Sequence, residues 1–142
     1  MSKGMPEGWV QRASKEFATL VGPFYQPGEG DPLQCGFFAD QRHGNKRGVV
    51  HGGMIATAFD VALGNAAWHA AENRPSATVQ LNVQFTGALQ LGEFAHIRCE
   101  IIRTTRSLVF LRGVMSAEGR SIAAADGVWK ILNCRGEPYK AS

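Results

Sequence analysis

An aspartate stands in the middle of the most apolar segment of this 142-residue chain. Between Met54 and Trp68 the apolar residues are too dense for the stripe of a surface helix, which predicts a largely buried helix. A carboxylate in such surroundings is costly unless it is paired, hydrogen-bonded or used in catalysis. Asp60 is therefore either a structural acid or a general base or nucleophile.

A second group of candidate residues lies just before this helix: Asn45, His51 and the pair Gly52 and Gly53. The first N–H groups of a helix have no partner within it, and the helix dipole favours negative charge there. A glycine has no Cβ, so a ligand can approach its backbone closely. Taken singly, the glycine pair is an ordinary turn and Asn45 an ordinary loop residue, so their joint spacing carries the hypothesis.

The elements around these residues follow from periodicity. Residues 8–22 have helical spacing that ends at Gly22-Pro23, and the central helix covers about residues 53–71. Strand-like runs, some with clear period-two alternation, occupy about residues 33–39, 76–86, 93–105, 107–117 and 121–133. Four consecutive strands with short connections predict an antiparallel, meander-like sheet that buries the apolar helix on most of its circumference.

The run from Asn45 to Gly53 reads Asn-x-x-Gly-x-x-His-Gly-Gly, and Asp60 follows seven residues after the second glycine of the pair. This combination resembles the hotdog-fold acyl-CoA thioesterases of the phenylacetate-degradation (PaaI-like) subgroup. Thr78, on the strand after the helix, matches a Ser/Thr of those enzymes. The resemblance implies an α+β hotdog domain over residues 1–142, a five-stranded antiparallel sheet around the central helix with an extra N-terminal helix.

The expected reaction is hydrolysis of an acyl-CoA thioester to a free acid and coenzyme A. We assign the Gly52 N–H to the carbonyl oxygen that gains negative charge, with Asn45 as a side-chain donor or carbonyl-orienting group. Asp60 then activates water as a base or attacks as a nucleophile, and the sequence leaves both open. Thr78 could hold the water through its hydroxyl group, although an outward Thr is also ordinary strand chemistry.

Gly53, His51 and Arg106 are the predicted substrate-binding residues. We interpret His51 as a capping or packing residue at the helix start rather than as a base. Arg106 is the first candidate for the phosphates of coenzyme A, ahead of Arg103 and Arg120, because it lies at a predicted turn. The sequence does not distinguish an aryl from a medium-chain acyl group. The aromatic residues that could line an acyl pocket are equally typical of the hydrophobic core; they are Phe37, Phe38, Phe59 and Trp68.

One helix cannot bring both ends of this site to one thioester. Gly52 and Asp60 are separated by a rise of ~12 Å. If both residues act, Asn45 and Gly52 must come from one chain, and Asp60 and Thr78 from its partner, so that two sites straddle a two-fold interface. The resemblance extends this expectation to a dimer as the catalytic unit and to a homotetramer built as a dimer of dimers.

The same residues argue against other functions, including a purely structural oligomerisation domain, which explains neither Asp60 nor the glycine pair. A non-catalytic acyl-CoA-binding hotdog module is the main alternative, but it needs no Asp60. A hotdog dehydratase would need an acidic or histidine partner near Asp60, and His69 lies about 13 Å along the helix axis. A Ser-His-Asp hydrolase is disfavoured because the chain has no Gly-x-Ser-x-Gly motif.

Composition limits the partners. Fifteen Lys and Arg against 12 Asp and Glu give a net charge of +3, with scattered basic residues, which does not indicate nucleic-acid binding. No apolar stretch is long enough for a membrane span. The three cysteines lack metal-binding spacing and are typical of packed, reduced thiols in a cytoplasmic protein. No metal or cofactor is expected, since coenzyme A is part of the substrate.

Overall fold

Seven strands and one long helix account for most of residues 4–132, the part of the chain that the computed structural model describes. The helices are α1 (Glu16–Val21) and α2 (Gly52–Ala70), and a short 3-10 turn covers Gln41–His43. The strands are β1 (Trp9–Gln11), β2 (Phe24–Pro27), β3 (Gln34–Phe38), β4 (Ser76–Phe85), β5 (Phe94–Thr104), β6 (Leu108–Ala117) and β7 (Arg120–Ile131). The predicted end of the last strand at residue 133 lies outside the described residues.

The strands form a single antiparallel sheet in the order β1-β2-β3-β5-β6-β7-β4. β5, β6 and β7 make the predicted meander, but β4 was expected beside β5 and instead pairs with β7. The connection of residues 86–93 therefore carries the chain from one edge of this meander to its other side. As a result, β4 is an edge strand that has only one neighbour within the described residues.

Helix α2 packs against β3 to β7 with one apolar face. The buried side chains of that face are those of Met54, Ile55, Ala58, Phe59, Ala62, Leu63, Ala66 and Ala67. The predicted burial on most of the circumference is wrong, because Asp60, Trp68 and His69 on the other side are exposed. The helix approaches the sheet closely at Gly113 of β6, where an added Cβ would meet Leu63 at 3.4 Å and Phe59 at 3.5 Å.

The N-terminal segment differs from its prediction. A helix over residues 8–22 was expected, but residues 9–11 form β1, which pairs with β2, and only Glu16–Val21 are helical. The Trp9 ring packs edge-on against His96 and Phe94 of β5. This tertiary contact and the hydrogen bonds to β2 outweigh the helical spacing, and the sheet has seven strands instead of five.

A bulge between Thr78 and Gln80 changes the phase of β4. The simple alternation of the sequence places Thr78 on the polar face together with Gln80. In the structure Thr78 pairs with the buried Trp129, and therefore faces the helix, while Val79 is 62% exposed. Beyond the bulge, apolar residues of β4 share the helix-facing side with Thr78, so that one strand presents both a hydroxyl group and an apolar wall.

Two of the three cysteines lie in the described part of the chain, and both are buried and free. Burial raises the pKa of the Cys35 thiol to about 11 and that of the Cys99 thiol to about 12, so both remain protonated at neutral pH. Cys134 lies outside the described residues. Within residues 4–132, no helix combines the length and the hydropathy that a membrane span requires.

Candidate active site

Asp60 and Thr78 form the first half of the candidate site. The Thr78 hydroxyl group donates a hydrogen bond of 2.7 Å to Oδ1 of Asp60, which joins the middle of α2 to the start of β4. The bulge in β4 makes this contact possible, because it turns Thr78 toward the helix. Both residues are exposed within one chain, so the predicted burial of Asp60 is not met by the single subunit.

A cavity of about 670 Å³ opens beside this pair. Its wall combines the acid and hydroxyl with polar and aromatic side chains: Arg12, Ala18, Asp60, Val61, Gly64, Asn65, Trp68, His69, Asn73, Ser76, Thr78 and Trp129. The Trp129 ring lies over Gly127, where a Cβ would stand 2.4 Å from the ring. This glycine gives the indole the space it needs beneath the cavity.

The start of α2 forms the second half. His51 is the N-cap residue, and its Nδ1 accepts a hydrogen bond of 2.8 Å from the Gly53 N–H. The N–H groups of Met54 and Ile55 donate to the His51 carbonyl oxygen. Among the described residues the Gly52 N–H has no hydrogen-bond partner, so it is the donor of the first turn that is left for a ligand.

Asn45 lies in the loop before this helix, and its side-chain oxygen is engaged locally. Oδ1 accepts hydrogen bonds from the backbone N–H groups of Arg47 (2.8 Å) and Val49 (3.4 Å). With the oxygen held by the loop, the amide NH₂ group is the part of the side chain available to a ligand. Asn45 therefore suits the role of a donor.

The two halves are apart within one chain. Asn45 and His51 line a separate cavity of about 630 Å³, together with Gly44, Lys46 and Arg47, whereas Asp60 and Thr78 line the first one. The eight-residue spacing of Gly52 and Asp60 on one continuous helix corresponds to ~12 Å. The structure therefore brings together Asp60 with Thr78 and His51 with Gly53, but does not join the two pairs.

The arginines proposed for coenzyme A differ in their surroundings. Arg120 is bound within the subunit: its guanidinium group donates to both Glu93 carboxylate oxygens at 2.8 Å and to the Ala88 carbonyl oxygen at 2.9 Å. These hydrogen bonds hold the pKa of Glu93 below its usual value. Arg106 is exposed in the turn between β5 and β6 and lines neither cavity, so its role stays a prediction.

Arg12 and Asn65 were not predicted, yet both line the cavity beside Asp60. Arg12 follows β1 directly, and its Nη2 donates a hydrogen bond of 3.0 Å to Oδ1 of Asn65 on α2. The helical interpretation of residues 8–22 concealed this arginine. Asn65 carried a weak signal, since it is an amide five residues after Asp60 in an apolar helix.

Chemically, the arrangement offers a hydrogen-bonded carboxylate beside a cavity and, separately, a free backbone donor at a helix start and an amide donor in the loop before that helix. A carboxylate can activate water or attack a carbonyl carbon, and the donors can stabilise the oxygen that becomes negative. These are the requirements of acyl transfer to water.

Comparison with known proteins points to the same chemistry. A Pseudomonas aeruginosa protein named as an esterase is 28% identical over 130 residues, covering 89% of this chain and 97% of its own. Acyl-coenzyme A thioesterase 13 of Mus musculus is 28% identical over 80 residues, 56% of this chain and 57% of its own. A Streptococcus mutans protein solved bound to acetyl-CoA shares the fold, with a TM-score of 0.64, 17% identity and coverage of 70% of this chain and 79% of its own.

The sequence profile of the thioesterase superfamily matches residues 47–124, more than half of the chain. That range contains the start of α2, Asp60, Thr78 and most of the meander. The hotdog fold expected from the sequence is thereby confirmed, with the changes in strand number and N-terminal helix described above. The chain belongs to the thioesterase superfamily, and its activity is that of a thioester hydrolase.

Proposed function

We propose that this protein is an acyl-CoA thioesterase of the PaaI-like subgroup, which hydrolyses an aryl- or medium-chain acyl-CoA to the free acid and coenzyme A. Asp60 acts as the general base or the nucleophile, and the Gly52 N–H binds the carbonyl oxygen. Asn45 donates to the same oxygen or orients it, and Thr78 holds the attacking water. We also propose a cytoplasmic location, which the two buried, free thiols of the described residues support.

The observation that carries this proposal is the hydrogen bond from Thr78 to Asp60 at the edge of a large cavity. A hydroxyl group that donates to a carboxylate keeps its lone pairs free to accept from water. The carboxylate thus has a fixed orientation and a neighbour that can position the nucleophile. A mouse relative named as an acyl-CoA thioesterase and a structural relative that binds acetyl-CoA support coenzyme A as the leaving group.

The catalytic unit in this proposal is a homodimer, and two dimers form a tetramer. The exposed edge of β4 supports it, because Val79 and Phe85 on this strand are 62% and 56% exposed, and large apolar side chains on an unpaired edge favour pairing with another chain. A partner subunit would also cover Asp60 and supply the second half of the site.

The test is steady-state hydrolysis of a panel of aryl and aliphatic acyl-CoAs, followed by release of the thiol, for the wild type and Asp60→Asn. The substitution keeps the size of the side chain and its hydrogen bond with Thr78 but removes the base. We expect kcat to fall by about 10²- to 10⁴-fold, the usual contribution of a general base. Asp126→Asn is the matched control, since Asp126 is an exposed acid on the opposite face of the sheet.

The outcome also separates catalysis from binding. A non-catalytic acyl-CoA-binding module would bind members of the panel, measured by calorimetry, without hydrolysing any of them, and Asp60→Asn would leave binding unchanged. Equal turnover by the wild type and Asp60→Asn would remove Asp60 from the mechanism.

A further inference from the structure

Arg12 extends a positive charge into the interior beside the candidate site. Its Nη2 is bound by Asn65, and its buried Nη1 makes no hydrogen bond to a nitrogen or oxygen atom of residues 4–132. No carboxylate of the described residues lies within ion-pair distance of this guanidinium group. Arg12 is half-buried and lines the cavity beside Asp60, so an anion from outside the chain can reach a guanidinium group that no acid of the described residues pairs.

The neighbours of Arg12 do not neutralise it. The Cys35 thiol lies close enough for the guanidinium group to oppose the rise of its pKa, but burial still raises that pKa to about 11 and keeps the thiol neutral. The other partner, Asn65, is a neutral amide. Neither neighbour therefore supplies a negative charge to pair with Arg12.

Arg12 lies where the far end of a bound acyl group would be. Arg12, Asn65, Asp60 and Thr78 all line one cavity. Asn65 follows Asp60 by five residues on α2, a rise of ~7.5 Å along the helix axis. An acyl chain whose thioester carbon is at Asp60 and which follows the helix past Gly64 would bring its far end to Arg12.

We infer that Arg12 recognises a carboxylate at the far end of the acyl group, so that the preferred substrates are CoA esters of dicarboxylic acids. This inference rests on the proposed function and deepens it. A carboxylate supplies the missing negative charge and accepts hydrogen bonds from the part of the guanidinium group that faces the cavity, whereas a hydroxyl or methyl terminus leaves the charge unpaired. The water that attacks the thioester then releases a dicarboxylate and coenzyme A.

The experiment compares adipoyl-CoA with hexanoyl-CoA, which have equal numbers of acyl carbons and differ at the terminus. We expect the wild type to prefer adipoyl-CoA in kcat/KM by about tenfold or more, the range of a hydrogen bond between charged groups. Arg12→Met keeps an unbranched, flexible side chain and removes the guanidinium group with its charge, so it should abolish or invert the preference. Arg12→Lys should retain part of it. Arg98→Met, on the exposed face of β5, is the control and should behave as the wild type.

Each outcome decides the matter. If the wild type hydrolyses both esters equally, or if Arg12→Met slows both by the same factor, Arg12 is a structural link to Asn65 and the inference is wrong, while the proposed function stands. If neither ester is hydrolysed, the proposed function loses its support, and calorimetry still tests Arg12. The wild type should bind adipoyl-CoA at least about tenfold more tightly than hexanoyl-CoA. Arg12→Met should bind the two esters with similar affinity. Equal or undetectable binding overturns the inference.

Discussion

At the scale of single residues, the N–H groups of the two adjacent glycines at the start of α2 have different roles. The Gly53 N–H is used by the His51 cap, which stabilises the helix, and the Gly52 N–H is left for a ligand. This division supports the interpretation of His51 as a capping residue, since Nδ1 already accepts a hydrogen bond from the backbone. Stability and activity should therefore respond to different positions of one short turn.

Gly52→Ala should reduce activity without reducing stability. The added Cβ would lie 3.3 Å from the Phe85 ring, which is exposed and can move slightly, and alanine favours a helix over glycine by about 0.5–1 kcal/mol. The methyl group nevertheless adds bulk beside the free N–H. We expect an unchanged or higher Tm and a loss of about tenfold or more in kcat/KM, measured by calorimetry and thiol release.

The neighbouring substitution, Gly53→Ala, provides the contrast. Its Cβ would stand 3.0 Å from Nδ1 of His51 and would press on the cap, so stability should fall by about 1 kcal/mol. If Gly52→Ala leaves kcat/KM at the wild-type value, the Gly52 N–H is not the oxygen-binding donor.

Thr78 allows a test of the hydroxyl group alone. Thr78→Val has a similar shape but cannot donate to Asp60, so the carboxylate loses its orientation and the water loses a partner. We expect kcat to fall by about ten- to a hundredfold with a smaller change in KM, and Thr78→Ser to keep most of the activity. Full activity of Thr78→Val would show that Thr78 has only a structural role in β4 and none in catalysis.

The residues near the motif could be predicted from the sequence, and the remote ones could not. Asp60 is conspicuous because a carboxylate breaks an apolar run, and Gly52 because its neighbours predict a helix start. Arg12 has no local signal, since its importance comes from a cavity formed with Asp60, Asn65 and Thr78, which are far from it in the sequence. Tertiary contacts of this kind have no periodicity to reveal them.

At the scale of elements, α2 and the strands of the meander follow their patterns because burial on one face dictates the sequence. The bulge in β4 could not be predicted from the sequence pattern, because a single extra residue changes the face on which Thr78 lies without altering the composition of the strand. The N-terminal segment fails for a different reason. Its helical spacing competes with pairing to β2 and with the contact of Trp9 on His96, and only the folded chain decides between them.

The same elements explain why the site is open. Asp60 is exposed beside Thr78, and the strand that carries Thr78, β4, has a free edge among residues 4–132. The connection of residues 86–93, which brings β4 to that edge, is held by Arg120 through Ala88 and Glu93. The subunit thus builds half-sites at an unpaired edge, which is where a second subunit can join.

At the scale of the whole molecule, the separation of Gly52 and Asp60 along α2 prevents one chain from bringing both residues to the same thioester. A thioester bound at Gly52 is ~12 Å from the acid of the same chain, which is too far for direct attack. A site shared across a two-fold axis removes this difficulty, because each subunit then supplies the donors to one site and the acid to the other. This arrangement predicts a result that no single-chain site can give.

Two inactive variants should restore each other when mixed. Asp60→Asn retains Asn45 and Gly52, and Asn45→Ala retains Asp60 and Thr78, so a hybrid dimer contains one intact site and one site with both defects. Random exchange of subunits makes about half of the dimers hybrid, and turnover should recover to about a quarter of the wild-type value. The measurement is thiol release after co-refolding equal amounts of both variants, with each variant refolded alone as the control. If each chain carried a complete site, mixing would give only the average of the two parents, because every site would keep its own defect.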